Sequence, residues 1–241
     1  MVRVSVKGLS YSVGSMKILN DVSFEHEGGT LVVIGPNGSG KTTLLRSIAG
    51  LTRYSGVVEI EGLSPARYRN YMSYVPAQPS LDPMARGLDI GLAMNYRSPG
   101  NLWRQHFREW LATFGVEGLT NRAIFTMSSG EQRLLLIAAA LSRTPRLLLL
   151  DEPTAFLDMT NQAKVMKVLA ELSRSGVTIV MATHDLHYAS LADNVAVLSK
   201  GRLVAFGSPR EVLNEGLLSK VYSVSIKKVN DDPPLFLPGL F

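Results

Sequence analysis

The chain has 241 residues, is 46% hydrophobic, carries a formal net charge of +5 and contains no cysteine. Without cysteine it cannot build a disulfide scaffold, a zinc thiolate site or a thiol nucleophile, and a cytosolic setting is expected. The positive balance comes with no basic run and no basic helix face interleaved with aromatics, so it reads first as scattered solubilising charge, then as proximity to anionic lipid, and last as a nucleic-acid footprint.

Val2, Val4 and Val6 alternate with polar residues, a strand pattern and not a signal peptide. Residues 2–34 are predicted to hold several short strands, with Gly28-Gly29 among the turn residues. The apolar run Leu31–Ile34 leads into GPNGSGKT, Gly35–Thr42, and a helix-like run, Leu44–Ala49, follows. The octapeptide fits the P-loop pattern G-x-x-x-x-G-K-[ST] without mismatch. Polyphosphate is dense negative charge and needs many fixed donors at close range. Gly35, Gly38 and Gly40 lack a Cβ, so the backbone can curl and aim its N–H groups inward. The next helix adds favourable potential at its N-terminus. Lys41 is placed to reach the β- and γ-phosphates, and Thr42 to offer a hydroxyl to Mg²⁺. The candidate cradle is Gly35, Pro36, Asn37, Gly38, Ser39, Gly40, Lys41, Thr42 and Thr43.

Val57–Ile60 extends the antiparallel region. From Pro79 the pattern turns helical, punctuated by Pro79, Pro83, Pro99 and Gly100. Trp103, Phe107, Trp110, Leu111 and Phe114 recur at helical spacing and read as core packing. A helix is predicted over Glu131–Leu141 and a buried parallel strand over Arg146–Leu150. That strand ends in Asp151-Glu152. Ligands collect at such strand ends, where Asp151 can hold Mg²⁺ and Glu152, pointing elsewhere, can polarise an attacking water. Thr160–Ser173 is amphipathic and Gly176 can stop it; Val177–Ala182 is a second buried strand, ending at Thr183-His184. Val195–Leu198 and Arg202–Phe206 flank Lys200-Gly201 as a hairpin. His184 and His187 stand three apart without a third ligand, so His187 is assigned to a helix surface and a transition metal is not expected. The apolar run Leu134–Leu141, bracketed by Arg133 and Arg143, falls far short of the ~20 residues that span a bilayer.

MSSGEQ, Met127–Gln132, lies between the P-loop and the acidic strand. With it in place the chain resembles the ATP-binding cassette (ABC) ATPases, whose LSGGQ or LSGGE signature sits there. Five motifs in family order carry the resemblance, over nearly the whole chain. It implies that Tyr11 stacks on adenine and that Gln78, in YVPAQ, senses Mg²⁺ and contacts the partner. It further implies that Ser128, Ser129, Gly130 and Glu131 form the signature, that Asp158, in AFLD, belongs to the loop crossing a dimer interface, and that His184 contacts the γ-phosphate. Ser129 replaces the first signature glycine, Met127 the usual leucine and Ala139 the usual arginine of the following helix, which bears on the rate of hydrolysis.

The resemblance implies an α/β fold: a RecA-like P-loop NTPase core with an antiparallel β subdomain and an inserted helical subdomain. Within one domain, 1–241, residues 1–79 and 136–225 are assigned to the core with its β subdomain, 80–135 to the helical subdomain and 226–241 to a tail. Gly207–Val224 and the closing PLFLPG are similar to the ATPases of iron–siderophore, haem and cobalamin importers, which close with a helix, a turn and a short strand; molybdate, cobalt or nickel cassettes are the alternative cargoes. The family further implies ATP and Mg²⁺ as cofactors and a homodimer of cassettes packed head to tail. It implies separate membrane permease subunits, an extracytoplasmic substrate-binding protein as an indirect partner, no nucleic acid, and a peripheral place on the cytoplasmic face of the membrane. The rival is a soluble cassette that remodels DNA or ribosomes.

Overall fold

The computed structural model describes residues 1–96, 100–231 and 234–239. β1 (Arg3–Val13) and β2 (Met16–Glu27) pair antiparallel, and β3 (Thr30–Ile34) follows the Gly28-Gly29 turn. Two long strands thus replace the several short ones predicted before β3. The reason is bulging. The pair shifts register between Val6 and Leu9 and again around Tyr11, and Gly8 and Asp21 take positive φ. Each irregularity resets the apolar alternation, so one bent strand reads as several. α1 (Lys41–Ile48) starts at the lysine itself, ahead of the predicted Leu44. β4 (Ser55–Ile60) pairs with the other edge of β1, and the short α2 (Pro65–Tyr68) leads to β5 (Met72–Val75).

α3 (Gly87–Asn95), α4 (Leu102–Phe114) and α5 (Ser129–Leu141) make the helical part. Pro99 lies outside the described residues. Trp103, Phe107, Leu111 and Phe114 are buried on one face of α4, as their spacing predicts, with Trp110 half-buried beside them. Burial of each such side chain contributes about 1.5–3 kcal/mol. α5 starts two residues ahead of the predicted Glu131 because Ser128 caps it. It runs unbroken across residue 135, so the helical part and the core share one helix.

β6 (Leu147–Asp151), α6 (Met159–Arg174), β7 (Thr178–Ala182), α7 (Leu186–Ser190), β8 (Asn194–Ser199) and β9 (Arg202–Gly207) complete the core. The main sheet has the order β5-β6-β7-β3-β8-β9, parallel except for the edge strand β9. Period-two alternation sends its side chains to two cores. Ile34, Leu148, Leu150, Ile179 and Met181 face the helical side, while Leu31, Val33, Leu147, Leu149 and Val180 face α1 and the β2-β1-β4 sheet. Both faces are covered, which is why these strands read as continuous apolar runs. The chain closes with α8 (Pro209–Val212), α9 (Glu215–Tyr222) and an antiparallel pair, β10 (Ile226–Asp231) and β11 (Pro234–Pro238). The tail is therefore a hairpin and not the single short strand expected. Pro234 and Pro238 both sit in β11. A residue that cannot donate to a ladder is tolerated there because, among the described residues, β11 pairs with β10 alone.

His26 on β2 is 2% exposed. Its Nδ1 lies 3.2 Å from the Asn194 side chain, and Nε2 has no partner among the described residues. Burial holds its pKa below the ordinary value, against the pull of Asp193 and the Gly29 backbone. The unfolded chain therefore binds this proton more readily than the folded one. The stability that neutral His26 allows is complete above the ordinary histidine pKa of ~6.5 and is lost as pH falls from there towards the lower folded-state value. Thermal melts are expected to show Tm dropping through that window, and His26→Leu to flatten the slope. An unchanged slope in the variant would assign the acid loss to other groups.

Candidate active site

Strand order assembles the site. β5, β6, β7 and β3 lie side by side and parallel, so their carboxyl ends open on one edge. β5 delivers Gln78, β6 delivers Asp151-Glu152, β7 delivers Thr183-His184 and β3 delivers the P-loop. Motifs more than a hundred residues apart in sequence become neighbours at the place where ligands bind such sheets.

The P-loop is folded as its glycines require. Gly40 precedes α1 at φ 103°, and a Cβ there would lie 2.6 Å from Leu19 Cδ2. Lys41 is buried, and its ammonium donates to the carbonyls of Gly35 (2.7 Å) and Pro36 (3.3 Å). Burial lowers its pKa, and the carboxylates of Glu152 and Asp151 oppose that shift. Asn37, Gly38 and Thr42 are exposed; Pro36 and Thr43 are half-buried. Ser39 is buried, and its hydroxyl has no hydrogen-bond partner among the described residues.

Asp151, Thr42 and Gln78 border one cavity of about 530 Å³. Asp151 is 1% exposed, yet neither carboxylate oxygen has a hydrogen-bond partner among the described residues. Burial pushes its pKa up. The Thr42 hydroxyl, the Ala77 amide, Lys41 and Arg133 pull it down from nearby without closing a hydrogen bond. A buried carboxylate lacking partners is costly. With the exposed Thr42 hydroxyl and the Gln78 side-chain carbonyl on the same cavity it offers an all-oxygen set that suits a hard divalent cation such as Mg²⁺.

Glu152 stands at φ 50°, unusual for a residue with a Cβ, and its N–H donates to the Ala182 carbonyl (2.9 Å). This kink turns its side chain away from Asp151. Glu152 Oε2 instead lies 2.9 Å from His184 Nδ1. His187, on α7, is exposed as expected of a helix-surface residue.

MSSGEQ is a helix start. Ser128 Oγ accepts from the Glu131 N–H (3.2 Å), and Glu131 Oε2 accepts from the Ser128 N–H (2.8 Å), a capping box. Arg122 pairs with Glu131 at 2.6 Å. The Ser128 backbone, then Arg122 and the Ser128 side chain, hold the Glu131 carboxyl below its usual pKa. Ser128 and Ser129 remain exposed. Ser129 is the first helical residue and does not take positive φ, so a serine in this glycine position carries no backbone strain. A Cβ on Gly130 would sit 3.0 Å from the Phe156 carbonyl, which brings the signature against the AFLD loop of the same chain. Asp158 is exposed and caps α6, accepting from the Asn161 N–H at 2.8 Å.

The ABC transporter family model matches residues 19–155, from before the P-loop through the acidic strand. The chain belongs to the ABC transporter family. The hemin import ATP-binding protein HmuV of Chelativorans sp. (strain BNC1) is 30% identical over 253 residues, covering 97% of this chain and 97% of the relative. An inward-facing putative metal-chelate type ABC transporter contains a chain that superposes with a TM-score of 0.82 at 25% identity, covering 99% of this chain and 98% of that one. The dimeric post-hydrolysis ATP-binding cassette MJ0796, bound to ADP and Pi, gives a TM-score of 0.78 at 27% identity, covering 86% and 98%. The α/β cassette fold and the ATPase class expected from the sequence are both met.

Tyr11 of the cassette is half-buried on β1, its Cα opposite that of Leu19, the residue that packs on Gly40. β1 therefore flanks the P-loop. Tyr11→Ala is expected to weaken ATP binding by about the 1–3 kcal/mol of one aromatic–base stack. Equal affinity in variant and parent, measured by calorimetry, would reject stacking.

Two residues of the site have no role assigned by any sequence motif. The Tyr222 hydroxyl, at the end of α9, accepts from the Gly35 N–H at 3.1 Å, and burial pushes its pKa up to about 12. Arg133 donates to the backbone just ahead of Gln78. Both act across the chain, so no spacing rule could have found them.

Proposed function

We propose that this cassette is the ATP-hydrolysing subunit of a membrane importer for an iron chelate or haem. Two copies would pack head to tail, each ATP lying between the P-loop of one copy and the signature of the other. The observation that carries the reading is the convergence of Lys41, Asp151, Glu152 and His184 on adjacent strand ends while Ser128 and Ser129 stay exposed. The P-loop would hold the phosphates through its backbone, with Lys41 moving from the Gly35 and Pro36 carbonyls to the β- and γ-oxygens. Thr42, Gln78 and Asp151 would hold Mg²⁺, which when bound supplies positive charge beside the phosphates. Glu152 would take the proton of the attacking water as its oxygen bonds to the γ-phosphorus and the bond to ADP breaks. His184 orients Glu152 through Nδ1, and its other nitrogen remains for a γ-phosphate oxygen.

The permease partners are supported by an apolar surface. Met84 is 73% and Phe125 64% exposed, and the Phe125 N–H donates to the Pro83 carbonyl (3.1 Å), so they lie close together beyond the Gln78 loop. Among the described residues no helix is long and apolar enough to cross a membrane. In this reading the cassette would sit on the cytoplasmic face, bound to separate permease subunits and, through them, to an extracytoplasmic binding protein, a placement drawn from the ABC transporter relatives. The cargo class rests on the HmuV relative. Purification from native membranes is expected to yield a complex with a polytopic membrane protein. Its ATPase in lipid is expected to rise with a haem- or iron-chelate-loaded binding protein. Stimulation by molybdate, cobalt or nickel instead would replace the cargo, and recovery with ribosomes or DNA alone would reject the importer.

A further inference from the structure

Arg133 lies one turn along α5 from Ser129, on the same helix face, and is 3% exposed. Its guanidinium donates through Nη1 to the Pro76 carbonyl (2.7 Å) and through Nη2 to the Ala77 carbonyl (2.6 Å). These are the two residues immediately before Gln78. Gln78, Ser129, Arg133 and Phe156 border one cavity of about 230 Å³, next to the larger cavity that Gln78 shares with Thr42 and Asp151. Burial disfavours the charge, and Asp151 and Glu152 support it through space.

A buried guanidinium held by backbone carbonyls is an expensive way to fill a helix face. Its neighbours Leu134, Leu135 and Leu136 show that apolar packing suits this helix. What a forked cation adds is direction: two N–H···O bonds fix both the place and the orientation of the peptide they grip. The gripped peptide leaves the end of β5 and carries Gln78 to the cation side of the P-loop cavity.

We propose that Arg133 is the positioning residue of the Gln78 loop. It sets Gln78 over the Thr42–Asp151 cavity and ties that loop to the helix face bearing Ser129. One side chain thereby links the metal side of the cassette's own site to the signature it offers a facing copy. The proposal rests on the reading of Gln78 as a metal-side group.

The test uses Arg133→Met, Arg133→Lys and Gln78→Ala in the full chain. Hydrogen–deuterium exchange of the free protein reads the loop directly. Thermal shift with a non-hydrolysable ATP analogue reads the Mg²⁺ midpoint without turnover. Arg133→Met is expected to speed exchange at Ala77, Gln78 and Ser80 by about ten-fold, since it loses charge-assisted bonds, and to leave β6 unchanged. The Mg²⁺ midpoint should rise by about ten-fold, with analogue binding in EDTA as in the parent. Arg133→Lys keeps the charge but not the fork, and should fall between. Parental exchange and midpoint in Arg133→Met overturn the proposal; if that variant has no cooperative melt, parental values in Arg133→Lys overturn it equally. A parental midpoint in Gln78→Ala rejects the metal-side reading, and the proposal falls with it. A raised midpoint there with parental Arg133 variants rejects Arg133 alone.

Discussion

Glu152→Gln is expected to lower ATP hydrolysis by ~10²–10⁴-fold, the usual contribution of a positioned general base. Glutamine keeps the size of the side chain and can still meet His184 Nδ1, so the arrangement at 2.9 Å can persist with the basicity removed. The P-loop contacts of Lys41 and the cavity under Asp151 do not involve the Glu152 carboxylate directly. ATP binding should therefore survive, and a long-lived ATP-bound dimer should accumulate, visible as an earlier peak in size-exclusion chromatography with ATP. The φ of 50° at Glu152 is set by the backbone bond to Ala182, which the variant retains. Turnover at the parental rate would exclude Glu152 as the base. Loss of ATP binding would show instead that the carboxylate supports Lys41, whose charge it favours through space.

Much of this site was legible in the sequence because its chemistry needs fixed local spacing. A phosphate cradle must be contiguous, so GPNGSGKT declares itself; a cation-holding carboxylate must end a buried strand, so four leucines before Asp151 do the same. The capping box was present in Ser128 and Glu131, and recognising it would have started α5 at Ser129. What stayed hidden depends on contacts across the chain. Arg133 looked like a charge bracketing an apolar run, but its carbonyl partners lie 57 and 56 residues away. The Tyr222 hydroxyl reaches Gly35 over 187 residues. The bulges of β1 and β2 obscured strand length because they break the period-two pattern on which strand reading relies.

Gly130→Asp is expected to abolish ATP-driven closure and hydrolysis while the single copy still binds ATP. Gly130 is half-buried in the first turn of α5, beside the exposed Ser129. A carboxylate in a first helical turn is favourable to the helix itself, so unfolding of α5 is not the cause. Two other effects compete. The new Cβ presses on the Phe156 carbonyl at 3.0 Å, and backbone there must shift by a few tenths of an ångström. In a head-to-tail dimer the carboxylate also faces the polyphosphate of the other copy. Two like charges at about 4 Å repel by roughly 4 kcal/mol at an effective dielectric constant of about 20, enough for about 10³-fold. Gly130→Ala separates the two, since it adds the Cβ without the charge. It should retain closure and most of the activity, and Ser129→Gly should change turnover only a few-fold, because Ser129 already has helical backbone. Dimerisation and ATPase rate are measured for all three. If Gly130→Ala is as inactive as Gly130→Asp, the block lies in the Phe156 contact and not in charge. If Gly130→Asp closes and hydrolyses normally, MSSGEQ does not face ATP, and the head-to-tail dimer fails with it.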